Sequence, residues 1–293
     1  MHHEMTKVRN RPCLVHRFDS LAEMTDEVRK DAKGREENRH IRMKGSQWVG
    51  RTFSGQWDGS NGLQTTVNSS WQDGLSIMGD MMDELRDAVT AKPVSRRRRR
   101  TWSDDSGDDL CFDRLRSGRE DFWVRVERQT LPGPATATVL VNIGANQGRQ
   151  SREILWRGAA ALCLIELLED AGYSVEFWIV QKSRRAFTND TDSLVGVRAK
   201  SAQQPIDRST LINAVSGWFF RTIGFGGEQL GCEEYGLTAS CGLGSATTIS
   251  IDEVEQLTTD DKAVVVDDVW NQSAAIDKVR DLLEQMNVTG DER

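Results

Sequence analysis

Four histidines, His2, His3, His16 and His40, hold all the imidazole of the chain, and none follows residue 40. A serine or cysteine nucleophile beyond that point would lack its commonest general base. The HExxH helix of zinc hydrolases is absent as well. Five cysteines, Cys13, Cys111, Cys163, Cys232 and Cys241, form no CxxC pair. An odd, scattered set of this kind reads as reduced thiols without a zinc site. Cys232 and Cys241 would pair only under oxidation, and only with their backbones close.

Two other segments could bind phosphate. Arg96, Arg97, Arg98, Arg99 and Arg100 form an unbroken basic run, followed by Asp104, Asp105, Asp108 and Asp109. Guanidinium groups grip phosphate with forked hydrogen bonds, so the run is a candidate nucleic-acid contact. Five adjacent like charges also repel one another, which suits a solvated linker. The stretch from Gly224 to Gly244 is rich in glycine but lacks the GxxxxGK[ST] pattern and carries Glu228, Glu233 and Glu234. It reads as a flexible connection rather than a phosphate cradle.

The elements that must position any site follow from periodicity. Leu21, Met24 and Val28 space a short amphipathic helix over 19–33, entered at Asp19 and Ser20. Trp48, Phe53 and Trp57 lie among glycine and serine in an irregular stretch, 45–70. Met78, Met81, Met82, Leu85 and Val89 fall on one helical face, a stripe best read as core packing. After Pro132-Gly133-Pro134 the texture changes. Thr136 to Ile143 is β-branched and apolar, as a buried parallel strand requires. The helix expected over 150–170 is apolar nearly all round, so it should lie deep. Tyr173 to Val180 and Ser193 to Ala199 read as further strands, and Asp207 or Ser209 caps a helix through Phe219. A short strand over 247–251, a buried strand at 263–266 and a helix over 273–286 complete the chain. The expectation is an α/β protein with an open, mostly parallel, Rossmann-type sheet and helices on both faces.

Sites in such sheets lie beyond the carboxyl ends of the strands. Here those ends deliver Asn142, Gly144 and Asn146, then Asp267 and Asp268, with Asp207, Ser209 and Thr210 nearby. This arrangement resembles the von Willebrand factor A domain. That family has a first strand ending in a DxSxS loop, a long buried first helix and a later strand ending in aspartate. The resemblance implies a divalent cation, usually magnesium, held by Asn142, Asn146, Asp267 and Asp268 and receiving an acidic group from a protein partner. The loop departs from the pattern, because Asn142 replaces the leading carboxylate and Gly144 the first hydroxyl. Magnesium favours charged oxygen ligands, so the site is degenerate and its binding weak or lost. A narrower resemblance, to proteins of phages and mobile elements with such a divergent domain, rests on four stretches. They are Trp156–Ala160, Leu168–Tyr173, Asn213–Arg221 and Asp267–Trp270.

Residues 1–100 carry a net charge of +5 and residues 101–293 one of −12, for −7 in all. The contrast suggests separate units. The expected organisation is a mainly helical region over 1–92, a charged linker over 93–134 and the A-like domain over 135–293. No apolar stretch is long enough to span a membrane, and the polar start lacks the apolar run of a secretory signal. The expected setting is the cytoplasm of a host, or a virion. The expected function is non-enzymatic: a module that binds a protein partner, with nucleic-acid contact through Arg96–Arg100 as the alternative.

Overall fold

The structure is a computed structural model that describes residues 2–34, 72–89, 99–107, 109–127, 135–146, 149, 151–240, 244–260 and 263–286. Two compact units emerge. Met1–Lys92 joins Thr136–Arg293 in one, and Pro93–Ala135 forms the other. The boundary expected near residue 92 is therefore a boundary of the small unit alone. The N-terminal region does not stand apart from the α/β domain, because its first strands complete the same sheet.

The chain starts with a hairpin, β1 (His2–Val8) and β2 (Arg11–Phe18). Its two-residue turn, Arg9-Asn10, has positive φ at both positions, the geometry that matches strand twist in tight hairpins. Helix α1 (Leu21–Gly34) follows, then α2 (Gln72–Ala88). Both keep their expected faces: Leu21, Met24 and Val28, and Met78, Met81, Met82 and Leu85, are all buried core residues. Residues 45–70 and His40 lie outside the described residues.

The small unit holds β3 (Arg99–Ser103), β4 (Asp109–Leu110), α3 (Phe112–Arg116) and β5 (Trp123–Glu127). Its antiparallel sheet runs β3-β5-β4. The segment expected as a linker is thus folded, since Trp102 pairs in register with Val124 and gives the strands a reason to stay together.

The large unit continues with β6 (Thr136–Asn142), α4 (Ser151–Asp170), β7 (Ser174–Arg184), β8 (Asp192–Lys200) and α5 (Arg208–Ala214). A buried helical passage follows: α6 (Gly217–Phe219), a π-turn at Phe220–Gly224 and α7 (Phe225–Gln229). Then come β9 (Ser245–Ala246), α8 (Ile251–Val254), β10 (Val264–Val266) and α9 (Gln272–Gln285). The strand expected over 247–251 is displaced: β9 ends before it, and Ile251 opens a helix. The expected flexible stretch after Gly224 is largely packed. Gly226 meets Val28 and Gly227 meets Met24 so closely that a side chain at either glycine would collide.

Among the described residues seven strands form one open, mixed sheet in the order β1-β2-β8-β7-β6-β10, with β9 beside β7. The pairs β2–β8, β6–β7 and β6–β10 are parallel. Alternation divides the sheet into two faces. Val139, Val141, Phe177, Ile179, Val195 and Val197 pack with the apolar sides of α1, α2, α4 and α9 in one core. Leu140, Trp178, Val180 and Leu194 form a second, smaller core with Val15, Val254 and Leu257. The long helices thus share one face, contrary to the expectation of both. The reason is topological: β7 and β8 form an antiparallel hairpin and need no crossover helix. Among the described residues the short α8 and its flanks roof the opposite side. Among the described residues no helix is long and apolar enough to cross a membrane.

Candidate functional site at the carboxyl ends of β6 and β10

Strand β10 runs parallel to β6 with Val266 opposite Val141, so each chain's next residue arrives at the same edge. These are Asn142 and Asp267. Asn142 is buried. Its Nδ2 donates to both carboxylate oxygens of Asp267 at 3.1 Å and to the Thr247 carbonyl at 2.8 Å. Its Oδ1 accepts the Gly144 N–H at 3.0 Å. That bond fixes which way the amide faces, because a flipped amide would set oxygen against oxygen at Asp267.

Asp267 is equally occupied. Its Oδ2 accepts the Ile249 N–H at 2.7 Å and its Oδ1 the Asp268 N–H at 2.8 Å. Asp268 sits at φ 55, where aspartate is better tolerated than most residues, and its Oδ1 accepts the Trp270 indole N–H at 2.7 Å. Asn146 is drawn to strand β9, where its Oδ1 accepts the Ala246 N–H at 3.0 Å. Three of the four residues expected at the strand ends therefore meet, and Asn146 is spent on pinning the loop. Asp207 caps α5, accepting the Thr210 N–H at 3.2 Å.

This donor set does not fit magnesium. The ion needs near-octahedral oxygen coordination. Here each side-chain oxygen of Asn142 and Asp267 already accepts an N–H, and amide hydrogens fill the space in front of the carboxylate. Among the described residues no three His, Cys, Asp or Glu side chains gather to hold a metal.

Sequence reasoning missed the residue that organises this corner. Arg157 is only 1% exposed. Its Nη1 donates to the Asn142 carbonyl and to the Gly144 carbonyl, the latter at 2.9 Å. Its guanidinium lies over the Trp270 ring, 3.9 Å from the centroid, and that of Arg149 lies 4.1 Å from the same centroid. Burial pulls the Arg157 pKa down to about 10, while Asp267 and Asp268 oppose the shift, so the group stays charged at neutral pH. The signal was an arginine set among the apolar residues of α4, between Trp156 and Gly158, which must find a partner once buried. Its ring partner, Trp270, stands over a hundred residues further along the sequence.

A second polar cluster lies under α8. Lys182, 3% exposed, places its Nζ 2.7 Å from Glu253 Oε1, 3.6 Å from Asp192 Oδ2 and 3.7 Å from Cys13 Sγ. Arg11 clasps Asp192 through two bonds of 3.0 and 3.1 Å. Burial works against the Lys182 charge, but Cys13, the Glu253 hydrogen bond and the charges of Glu253 and Asp192 hold its pKa above the ordinary value. Burial pushes the Cys13 thiol up to about 11, so at neutral pH it is protonated and a poor nucleophile. Glu253 also closes a capping box on α8 by accepting the Ser250 N–H.

The basic run is divided. Arg96, Arg97 and Arg98 lie outside the described residues, whereas Arg99 and Arg100 open β3 opposite Glu127 and Val126. Cys232 is buried, and Cys241 lies outside the described residues.

No curated protein and no solved structure matches the chain. A family model matches residues 4–290, running through the hairpin, the small unit and the α/β sheet alike. That span covers nearly the whole sequence, and the chain accordingly belongs to the family described as domain of unknown function DUF7192.

Proposed function

We propose that the chain is a non-enzymatic protein-binding or assembly module, built on a von Willebrand factor A-like domain whose cation has been replaced by hydrogen bonds. The observation that carries this reading is the Asn142–Asp267 contact. An amide stands at the end of the first strand of the β6-α4-β7 unit, bonded to the aspartate at the end of the neighbouring parallel strand. Three features support it: a deeply buried α4, a late strand ending in aspartate, and strand-end loops already braced by Arg157 and Trp270. A loop set braced by its own hydrogen bonds and by Arg157 suits recognition of a partner that needs no divalent metal.

Cross-linking of the full chain in its native host, followed by mass spectrometry, tests this. A specific partner retained in EDTA and lost in Trp270→Ala supports the reading. A partner that requires magnesium, or one indifferent to Trp270→Ala, overturns it.

A second reading, nucleic-acid contact, is favoured by one observation in the small unit. Trp102 is exposed on β3, and the Arg114 guanidinium lies 4.0 Å from its ring centroid. Arginine and exposed aromatic rings are the materials of base-stacking platforms. Single-stranded oligonucleotide binding that weakens with salt and is lost when Arg96–Arg100 become alanine would support it; binding indifferent to salt or to those changes would dismiss it.

A further inference from the structure

The N-terminal hairpin carries two histidines that the strand-end site does not use. In the β1–β2 register His3 stands directly opposite His16, so both rings leave the sheet on one face. Their centroids are 5.9 Å apart and their planes are inclined by 42°. Each ring is anchored through Nε2, that of His16 on the Leu230 carbonyl at 2.5 Å and that of His3 on the Glu234 carboxylate at 3.0 Å. Carbonyl and carboxylate only accept, so a neutral ring must carry its proton on Nε2 and leave Nδ1 as a lone pair. Both Nδ1 atoms are buried without a hydrogen-bond partner.

We propose that His3 and His16 form a two-imidazole site for a monovalent d10 cation, copper(I) or silver(I), held between their Nδ1 atoms. Histidines that ligate a metal typically tie the opposite N–H to a carbonyl or carboxylate, as both rings do here. Imidazole nitrogen suits copper. Two metal–nitrogen bonds of ~2 Å plus two ring radii span about 6 Å, close to the observed ring separation. Four-coordinate zinc is not what this corner offers, since Glu234 lies on the Nε2 side of His3, and among the described residues no three His, Cys, Asp or Glu gather to hold a metal. Monovalent d10 ions accept two collinear nitrogen donors, and the Glu234 carboxylate on His3 offsets the added charge. Gly231, at φ 66, allows the anchoring turn to approach, because a Cβ there would lie 2.8 Å from His3 Nε2. His3 keeps 16% of its side chain exposed, which gives the ion a way in.

The full chain would be titrated with copper(I) under anaerobic, reducing conditions, and separately with silver(I), against a chromophoric competitor. X-ray absorption would be read on the loaded protein. The expected result is one tightly bound ion with two nitrogen scatterers. His3→Gln should weaken binding by about a hundredfold, and Glu234→Ala, on an exposed side chain, by about tenfold, with both variants folded by circular dichroism. Sulfur scatterers would assign the ion to the cysteines and overturn the proposal. Affinity unchanged in both variants, or no binding at all, would overturn it too.

Discussion

The Asn142 side-chain amide faces both oxygens of the Asp267 carboxylate at 3.1 Å, and its own oxygen is turned back onto the Gly144 N–H. Hydrogen bonds thereby join the carboxyl ends of two strands that are neighbours in the sheet. Placing a carboxylate there by Asn142→Asp should reverse this. It removes the N–H donors and sets like charges together, at a cost of about 2 kcal/mol in metal-free buffer. Thermal unfolding is expected to show a lowered Tm that magnesium partly restores, while the parent protein ignores magnesium. Equal responses of the two proteins would count against the substitution logic.

Lys182 is the counter-ion on which the smaller core depends. Lys182→Met leaves Glu253 and Asp192 facing apolar surroundings with one cation fewer, and should cost about 3–5 kcal/mol. Glu253→Gln should cost less, because Asp192 remains within 3.6 Å of the ammonium. Urea denaturation of the pair checks the order.

Close backbone approach predicts two intolerant glycines. A Cβ on Gly226 would lie 2.3 Å from Val28 Cγ1, and one on Gly158 would lie 2.5 Å from Val215 Cγ2. Gly226→Ala and Gly158→Ala should each destabilise by about 1–3 kcal/mol through overpacking. Adding Val28→Ala to Gly226→Ala should recover part of that loss, measurable as a coupling in a double-mutant cycle.

His16 makes stability depend on pH. Its folded pKa of about 4 lies below the ordinary 6.5, chiefly through burial. Between these values the unfolded chain binds more protons, so stability rises with pH. The contribution is complete above about pH 6.5 and is lost as the pH falls towards 4, by about 3 kcal/mol in all. Urea midpoints for the parent and His16→Gln across this window should converge as the pH falls. Parallel curves would remove His16 from the explanation.

Much of the large unit was legible because its signals are local. The apolar run of β6, the nearly unbroken apolar surface of α4 and the stripe of α2 each announce burial whatever the rest of the chain does. Asp207 caps α5 as its position suggested, since a cap is satisfied within one turn. The hairpin at residues 2–18 escaped notice because its turn, Arg9-Asn10, lacks the glycine that usually marks such a turn. The passage from Gly224 to Gln229 was misread for a related reason. Glycine marks either freedom or close packing, and only the neighbours Val28 and Met24 decide which.

The sequence by itself determined that this is an α/β chain with a buried β6-α4-β7 unit, and that asparagine and aspartate stand at the ends of its strands. Hydrophobic periodicity and chain order suffice for that, because both act over a few residues. Tertiary structure alone decided that Asn142 meets Asp267, that Arg157 finds Trp270 and that His3 lies across from His16. Those contacts join residues from 13 to 125 positions apart, through strand register and crossover topology. Local residue patterns constrain those two only weakly, since pairing energy depends on which strands become neighbours.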